Sequence, residues 1–443
     1  MILFFFACAT DDDFPMPDFG GDSGTADLGP IALTAAGPKA PVDECEEACF
    51  HVAATRGGLA QRGVSVDVWM GDTVIAADLV TREDGTADAC VAGLPVGQYG
   101  VTALAEYGEL RASASTSVDI REFGWVDGFV RDDTPVTEMP WTPEFTRTSP
   151  DPVLPAGEAG TWDSIGTLLP SVARTNSGYV MWYAGTAADD YIVGAATSPD
   201  GVEWTKDPRN PLFTGDGIEG SWRRYSTNSP MIVEHDGTWY MYYTGRAEET
   251  GNLTLGLATG TDPVHLTDVA TNPVFSWNDD ESSWAGQAAA HPAVIYNPAG
   301  WWELWYSTGY HKIGYAYSPD GLSWSRYCKN PVFEGDPENL DWETNQVKAN
   351  EVILWHDWYF MTYSAGDTGA FTIGWAASRD GLHWLRNPEP VFLPPEEPGT
   401  WESNSVLSAP IMPVGDELWM WYSGTGMTGS AIGLATASMD DAP

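Results

Sequence analysis

The sequence predicts an all-β fold, a five-bladed β-propeller with an N-terminal small β-sandwich domain, and three observations carry that prediction. First, a Trp opens a repeat at 162, 222, 284, 342 and 401, at spacings of 60, 62, 58 and 59 residues. Second, each repeat continues with an aromatic strand, such as YVMWYAGT or LWMWYSGTG, and then a strand holding one fixed glycine: Gly194, Gly256, Gly314, Gly374 or Gly433. Third, closing segments of the NPVF type end at Phe213, Phe275, Phe333 and Phe392, and the fifth repeat has none of its own. A copy of that segment stands before the first repeat, where Pro143 to Leu154 aligns without a gap on Val202 to Phe213. Four strands per repeat, five repeats and one displaced closing strand give a ring without free sheet edges.

From the N-terminus, residues 1–8 read MILFFFAC, and no run of about 18 apolar residues suited to a membrane span occurs anywhere. This opening resembles the end of a bacterial lipoprotein signal, with Ala7 before a cysteine. The resemblance implies lipidation at Cys8 and, with Ala9 following, an outer-membrane or secreted location in the cell envelope. Residues 9–42, rich in Asp, Gly, Pro and Ala, read as an acidic flexible tether. Residues 43–128 alternate apolar and polar side chains in short stretches such as VSVDVWM and LRASASTSVDI, the period of two expected of a sandwich. Within it, Thr81 to Ala103 resembles carboxypeptidase-regulatory-like or transthyretin-like modules of exported proteins, which implies a spacer or interaction module. Cys90 is expected to pair with Cys49 or Cys45 in an oxidising compartment, and Cys328 reads as a packed free thiol. Residues 141–440 form the propeller, closed by 143–154. Its Asp-Gly turns at Asp200, Asp320 and Asp380 suit tight hairpins rather than chemistry.

Charge narrows the function. With 20 Lys+Arg against 63 Asp+Glu, the net charge of −43 excludes nucleic acid as a default partner and disfavours anionic membrane surfaces, leaving the lipid anchor as the membrane contact. All tryptophans but Trp69 and Trp125 lie at or after Trp141, and most occupy repeating positions that belong to the core. Trp141, Trp277, Trp302 and Trp355 fit the repeat less well and remain for a ligand.

Chemistry is expected where the innermost strands converge, on polar residues that differ between repeats: Asp163, Arg223, Arg224, Asn228, Gln287, His291, Lys348, Asn350 and Glu351. Glu351 aligns with Pro170, Pro230, Pro292 and Pro410, so an ionisable group replaces a proline beside Lys348 and Asn350. A carboxyl desolvated in a channel is suited to general acid catalysis, and Asp163 is the candidate base. His291 and Asn350 are candidates to position a sugar, and Arg223 and Arg224 to hold a carboxylated one.

The segments MWYAG, IGYAYSPDG and NPVF resemble those of the five-bladed glycosidase propellers over residues 141 to 438, namely glycoside hydrolase families 43 and 32 of the arabinanase, levansucrase and invertase type. That resemblance implies an inverting mechanism with an Asp base before a Pro in the first inner strand. Leu169 holds this position here, matched by Ser229, His291, Asn350 and Ala409. The function expected is an exported, monomeric glycosidase-like protein that binds and hydrolyses an oligo- or polysaccharide at the channel. No cofactor is required, though calcium occurs in similar propellers. The alternative is a non-catalytic carbohydrate-binding or structural surface lipoprotein.

Overall fold

Alternating burial along short β-prone stretches makes strands, and the computed structural model is built of strands and turns, with no helix among the described residues. It describes residues 30–38, 42–43, 48–71, 73–92, 97–121, 134–187, 190–248, 253–277, 286, 288–309, 311–344, 346–367 and 369–443. Cys8, Cys45, Gln287 and most of the tether lie outside them. The chain divides into two compact bodies at residues 122 and 123.

In the first body, one sheet contains Ile31–Ala36, Ala48–Arg56, Leu59–Ala60 and Thr86–Val91; the other contains Val42–Asp43, Ser65–Met70, Thr73–Val80, Gly97–Tyr107 and Leu110–Arg121. Inward residues of both, including Phe50, Val52, Val66, Val68, Val101 and Ile120, share one core. Cys49 and Cys90 stand directly opposite each other on antiparallel strands, and this register forms their disulfide.

The second body repeats one unit. In the first repeat Gly166–Thr175, Gly178–Thr186, Tyr191–Ser198 and Thr205–Lys206 pair antiparallel in that order. The second, third and fourth repeats begin with Ser226–His235, Ala289–Asn297 and Gln346–Trp355 and follow the same order. In the fifth, Ser405–Leu407 and Ile411–Val414 pair with Glu417–Gly426, which pairs with Gly429–Ser438. Its fourth strand is Thr146–Arg147: Arg147 lies opposite Ala435 as Lys206 lies opposite Ala196 and Arg386 opposite Ala376. The first strand of each repeat contacts that of the next, and the first repeat contacts the fifth.

Aromatic packing explains the repeated letters. Trp182, Tyr183, Tyr242, Tyr243, Trp305, Tyr306, Trp421 and Tyr422 are fully buried. Gly194, Gly256, Gly374 and Gly433 each give an aromatic ring its seat: a Cβ at Gly194 would stand 2.6 Å from the Trp162 ring, and one at Gly256 2.2 Å from Trp222. The Asp-Gly turns are structural, since Asp200 Oδ1 accepts the Val202 and Glu203 N–H groups at 2.9 Å. Two expectations fail. Cys328 is disulfide-bonded and not a free thiol. Trp141 and Trp302 are buried, Trp141 edge-on against Phe360 and Trp375, and Trp355 packs partly buried on the same core as Trp141. Those indoles are core, which leaves Trp277, half-buried.

Candidate functional site

Most of the buried carboxylates belong to the frame. Asp163, directly after an opening Trp, meets Lys206 Nζ at 2.6 Å and accepts from the Thr161 and Tyr183 hydroxyls. Glu343 meets Arg386 at 2.5 Å and Tyr363 at 2.7 Å, and Glu402 meets Arg147 at 2.8 Å. Each pair joins the start of a repeat to its fourth strand. In the second repeat the signs are exchanged: Arg223 follows the Trp, and Asp268 holds the fourth-strand place opposite Ala258, at 2.6 Å. Asp163 and Arg223 are thus occupied by partners with repeat equivalents, and none of these contacts reaches Glu351 or leaves a guanidinium for a sugar. Arg224 lies outside that pair, its guanidinium over the Tyr225 ring.

The inner strands share an irregularity. Pairing of first and second strands slips between Leu168 and Ser171, Asn228 and Met231, Ala290 and Ala293, and Ala349 and Glu351. Leu169, Ser229, His291 and Ser408 take φ between 47° and 54°, a left-handed conformation that non-glycine residues adopt only where surroundings impose it. A hydroxyl from the preceding repeat accepts the backbone N–H at this slot: Ser423 for Leu169, Thr244 for His291, Ser307 for Ala349 and Ser364 for Ser408. These bonds correct the sequence alignment by one residue. Asn350, not Glu351, stands where Pro170, Pro230 and Pro292 do, and Ala349 and Ser408, not Asn350 and Ala409, match Leu169. Glu351 lies opposite Thr362 as Ser171 lies opposite Trp182 and Met231 opposite Tyr242. The fourth repeat has no proline to anchor an alignment, and Pro410 of the fifth sits one place later.

Several singled-out side chains do meet at this level. His291 Nδ1 is 2.8 Å from Ser229 Oγ, whose hydroxyl donates to Asn228 Oδ1 at 2.9 Å. Burial pushes the imidazole pKa down to about 3, with the charges of Lys348 and His311 acting in the same direction, so the ring is neutral at neutral pH. His311 is depressed by burial and by Lys348. Asn350 Oδ1 accepts from Ser364 Oγ at 2.8 Å, while its buried Nδ2 has no partner among the described residues. Lys348 lies 4.8 Å over the Phe371 ring, and burial lowers its pKa. Glu351 stands apart from Lys348: its shift, up to about 8, comes from burial, opposed only by the Val352 N–H.

The remaining buried carboxylates also have partners. Glu303 accepts from Asn297, Tyr315 and Tyr359, and Asp380 is held in its turn and by His383. No carboxylate is paired with Glu351 among the described residues. Nor do these hold a group of three His, Cys, Asp or Glu placed to bind a metal ion.

No family model matches the chain. Uncharacterized proteins MT1551 and Rv1502 of two Mycobacterium tuberculosis strains are each 24% identical over 241 residues, which is 51% of this chain and 76% of theirs. Among solved structures, a glycosyl hydrolase from Bacteroides ovatus superposes with a TM-score of 0.54 at 18% identity, covering 66% of this chain and 93% of its own. A structure from work on GH130 mannoside phosphorylases and glycoside hydrolases that target β-1,2 mannosidic linkages gives 0.55 at 17%, covering 68% and 96%. The β-1,2-mannobiose phosphorylase of Listeria innocua, with β-1,2-mannobiose bound, gives 0.53 at 14%, covering 67% and 97%. The fold is that of these propeller-like carbohydrate enzymes.

Sequence reasoning missed Ser229, Ser364, Thr362 and His311. A signal existed for two of them: Ser364 occupies the hydroxyl position of the second strands, shared with Thr244, Ser307 and Ser423. Thr362 stands where the other repeats carry Trp182, Tyr242, Trp305 and Trp421.

Proposed function

We propose that the second body is a five-bladed β-propeller that binds carbohydrate at its inner strands, around Asn228, His291, Lys348 and Asn350, without hydrolysis by paired carboxylates. The observation that carries this reading is the commitment of the buried Asp163, Glu303, Glu343, Asp380 and Glu402 to structural partners, which leaves Glu351 without a buried opposing base among the described residues. Inverting hydrolysis needs two carboxyls roughly 6.5 to 9.5 Å apart with a water between them. The shared fold with enzymes acting on mannosides supports a glycan as the ligand class. The first body serves in this reading as a β-sandwich spacer, with a lipid on Cys8 anchoring a monomer to the bacterial envelope. The Cys49–Cys90 disulfide supports an oxidising compartment.

Hydrolysis is the second reading, favoured by one observation: a carboxyl held near a pKa of about 8 is protonated at neutral pH, the state a general acid requires. A glycan array followed by reducing-sugar release on every bound glycan separates the two. Binding without release, unchanged by Glu351→Gln, is expected. Release by the wild type that Glu351→Gln abolishes would establish hydrolysis instead.

A further inference from the structure

We propose that Lys348 and the side-chain amide of Asn350 form a subsite for a carboxylate on the bound glycan, so that the ligand is a uronic-acid-containing polysaccharide. This deepens the carbohydrate-binding reading and rests on it. In a chain with 63 acidic and 20 basic side chains, a cation readily finds a carboxylate. Arg147, Lys206, Arg223, Lys312 and Arg386 all have one. Lys348 is half-buried and has none within 4 Å among the described residues. Placing an ammonium out of water without a counter-charge is unfavourable, and the Phe371 ring face offsets that only in part. The scaffold does not demand a cation here, because the register puts Leu168, Asn228 and Ala290 at the equivalent position in the first three repeats.

Asn350 gives the second, independent indication. The Ser364 hydroxyl fixes Oδ1, and that assigns the opposite end of the amide as the N–H donor, yet Nδ2 is buried with no acceptor among the described residues. Orphaned buried donors are rare in folded proteins and mark places where a partner is missing. Lys348 stands just before the slip in register and Asn350 within it, but the Asn350 amide bonds Ser364, which lies directly opposite Lys348, so the two side chains meet on one face of the strand pair. An ammonium and an amide N–H on one face are complementary to a carboxylate.

Charge balance selects the anion. His291 and His311 are both depressed towards the neutral form, which leaves the charge of Lys348 uncompensated among the described residues. A monoanion neutralises it. A phosphate dianion would leave excess negative charge buried in a protein of net charge −43.

Isothermal titration of the full chain with galacturonan and alginate oligosaccharides, each against its carboxyl-reduced counterpart, tests the subsite. At least one acidic oligosaccharide is expected to bind about tenfold or more tighter than its reduced form, the scale of one charge-assisted hydrogen bond. Lys348→Met should erase that difference while leaving the melting temperature near wild type. Equal binding of acidic and reduced forms overturns the subsite and leaves the glycan reading standing, as does binding of neutral glycans alone. Failure to bind any glycan overturns both. Competition by inorganic phosphate at lower concentration than by galacturonate overturns the carboxylate assignment. Should Lys348→Met fail to fold, the acidic-versus-reduced comparison on the wild-type chain decides.

Discussion

Glu351 shows how a single buried carboxyl ties stability to pH. Its ordinary pKa of 4.5 applies in the unfolded chain, and burial raises it to about 8 in the fold. Between those values the unfolded state releases a proton that the folded state keeps. Stability therefore falls as pH rises through that window, and the penalty is absent below it. Glu351→Gln removes the ionisable group. Its melting temperature should match wild type near pH 4 and exceed it increasingly towards pH 8, which scanning calorimetry across that range reads directly. A constant offset at all pH values would show that Glu351 is not held protonated. At this scale the sequence shows where one repeat departs from the others, and His291, Lys348 and Asn350, singled out that way, lie at one level of the inner strands. It was misleading for Asp163, whose partner Lys206 lies 43 residues away and becomes visible only once the fourth strand is in place.

Among the elements, the pair joining each repeat's start to its fourth strand matters most. In the second repeat Arg223 and Asp268 reverse the usual polarity, with Asp216 3.7 Å from the same guanidinium. Arg223→Glu would set an acid against both aspartates and should destabilise the protein by about 2 to 4 kcal/mol. Adding Asp268→Lys restores the polarity of the other repeats and should recover most of that loss, a coupling that a double-mutant cycle in urea measures. If the double variant is no more stable than the single, the pair does not act as a unit. Strand order was legible here because period-two burial, the opening Trp and the fixed Gly recur together. The one-residue slip at Glu351 was not, because the sequence lacks the Pro that anchors the other inner strands, and only hydrogen-bond register reveals it. The choice of Cys49 as partner of Cys90 likewise depends on which residues face each other across a sheet.

For the whole molecule, the decisive contact is between the two ends of the second body. Thr146 and Arg147 pair with Thr436 and Ala435, Leu154 bridges Ile432, and Arg147 is held by Glu402. Arg147→Ala leaves Glu402 buried without its counter-charge and should lower stability by about 2 to 3 kcal/mol. Replacing residues 143–154 with a Gly/Ser linker should do more, lowering the melting temperature further and exposing the fifth repeat to limited proteolysis ahead of the others. Uniform cleavage across the repeats would argue against a local seal. The displaced strand was readable from sequence because Pro143 to Leu154 matches Val202 to Phe213 without a gap.

That pairing also sets an order of events during synthesis. Ribosomes deliver residue 146 long before residue 436, so the closing strand emerges with nothing to join and must wait while four repeats are made. Until then the third strand of the last repeat is missing and the first repeat has no neighbour on one side. A nascent chain of this design carries open strand edges through most of its translation, and they close only when the earliest strand of the second body is seated last.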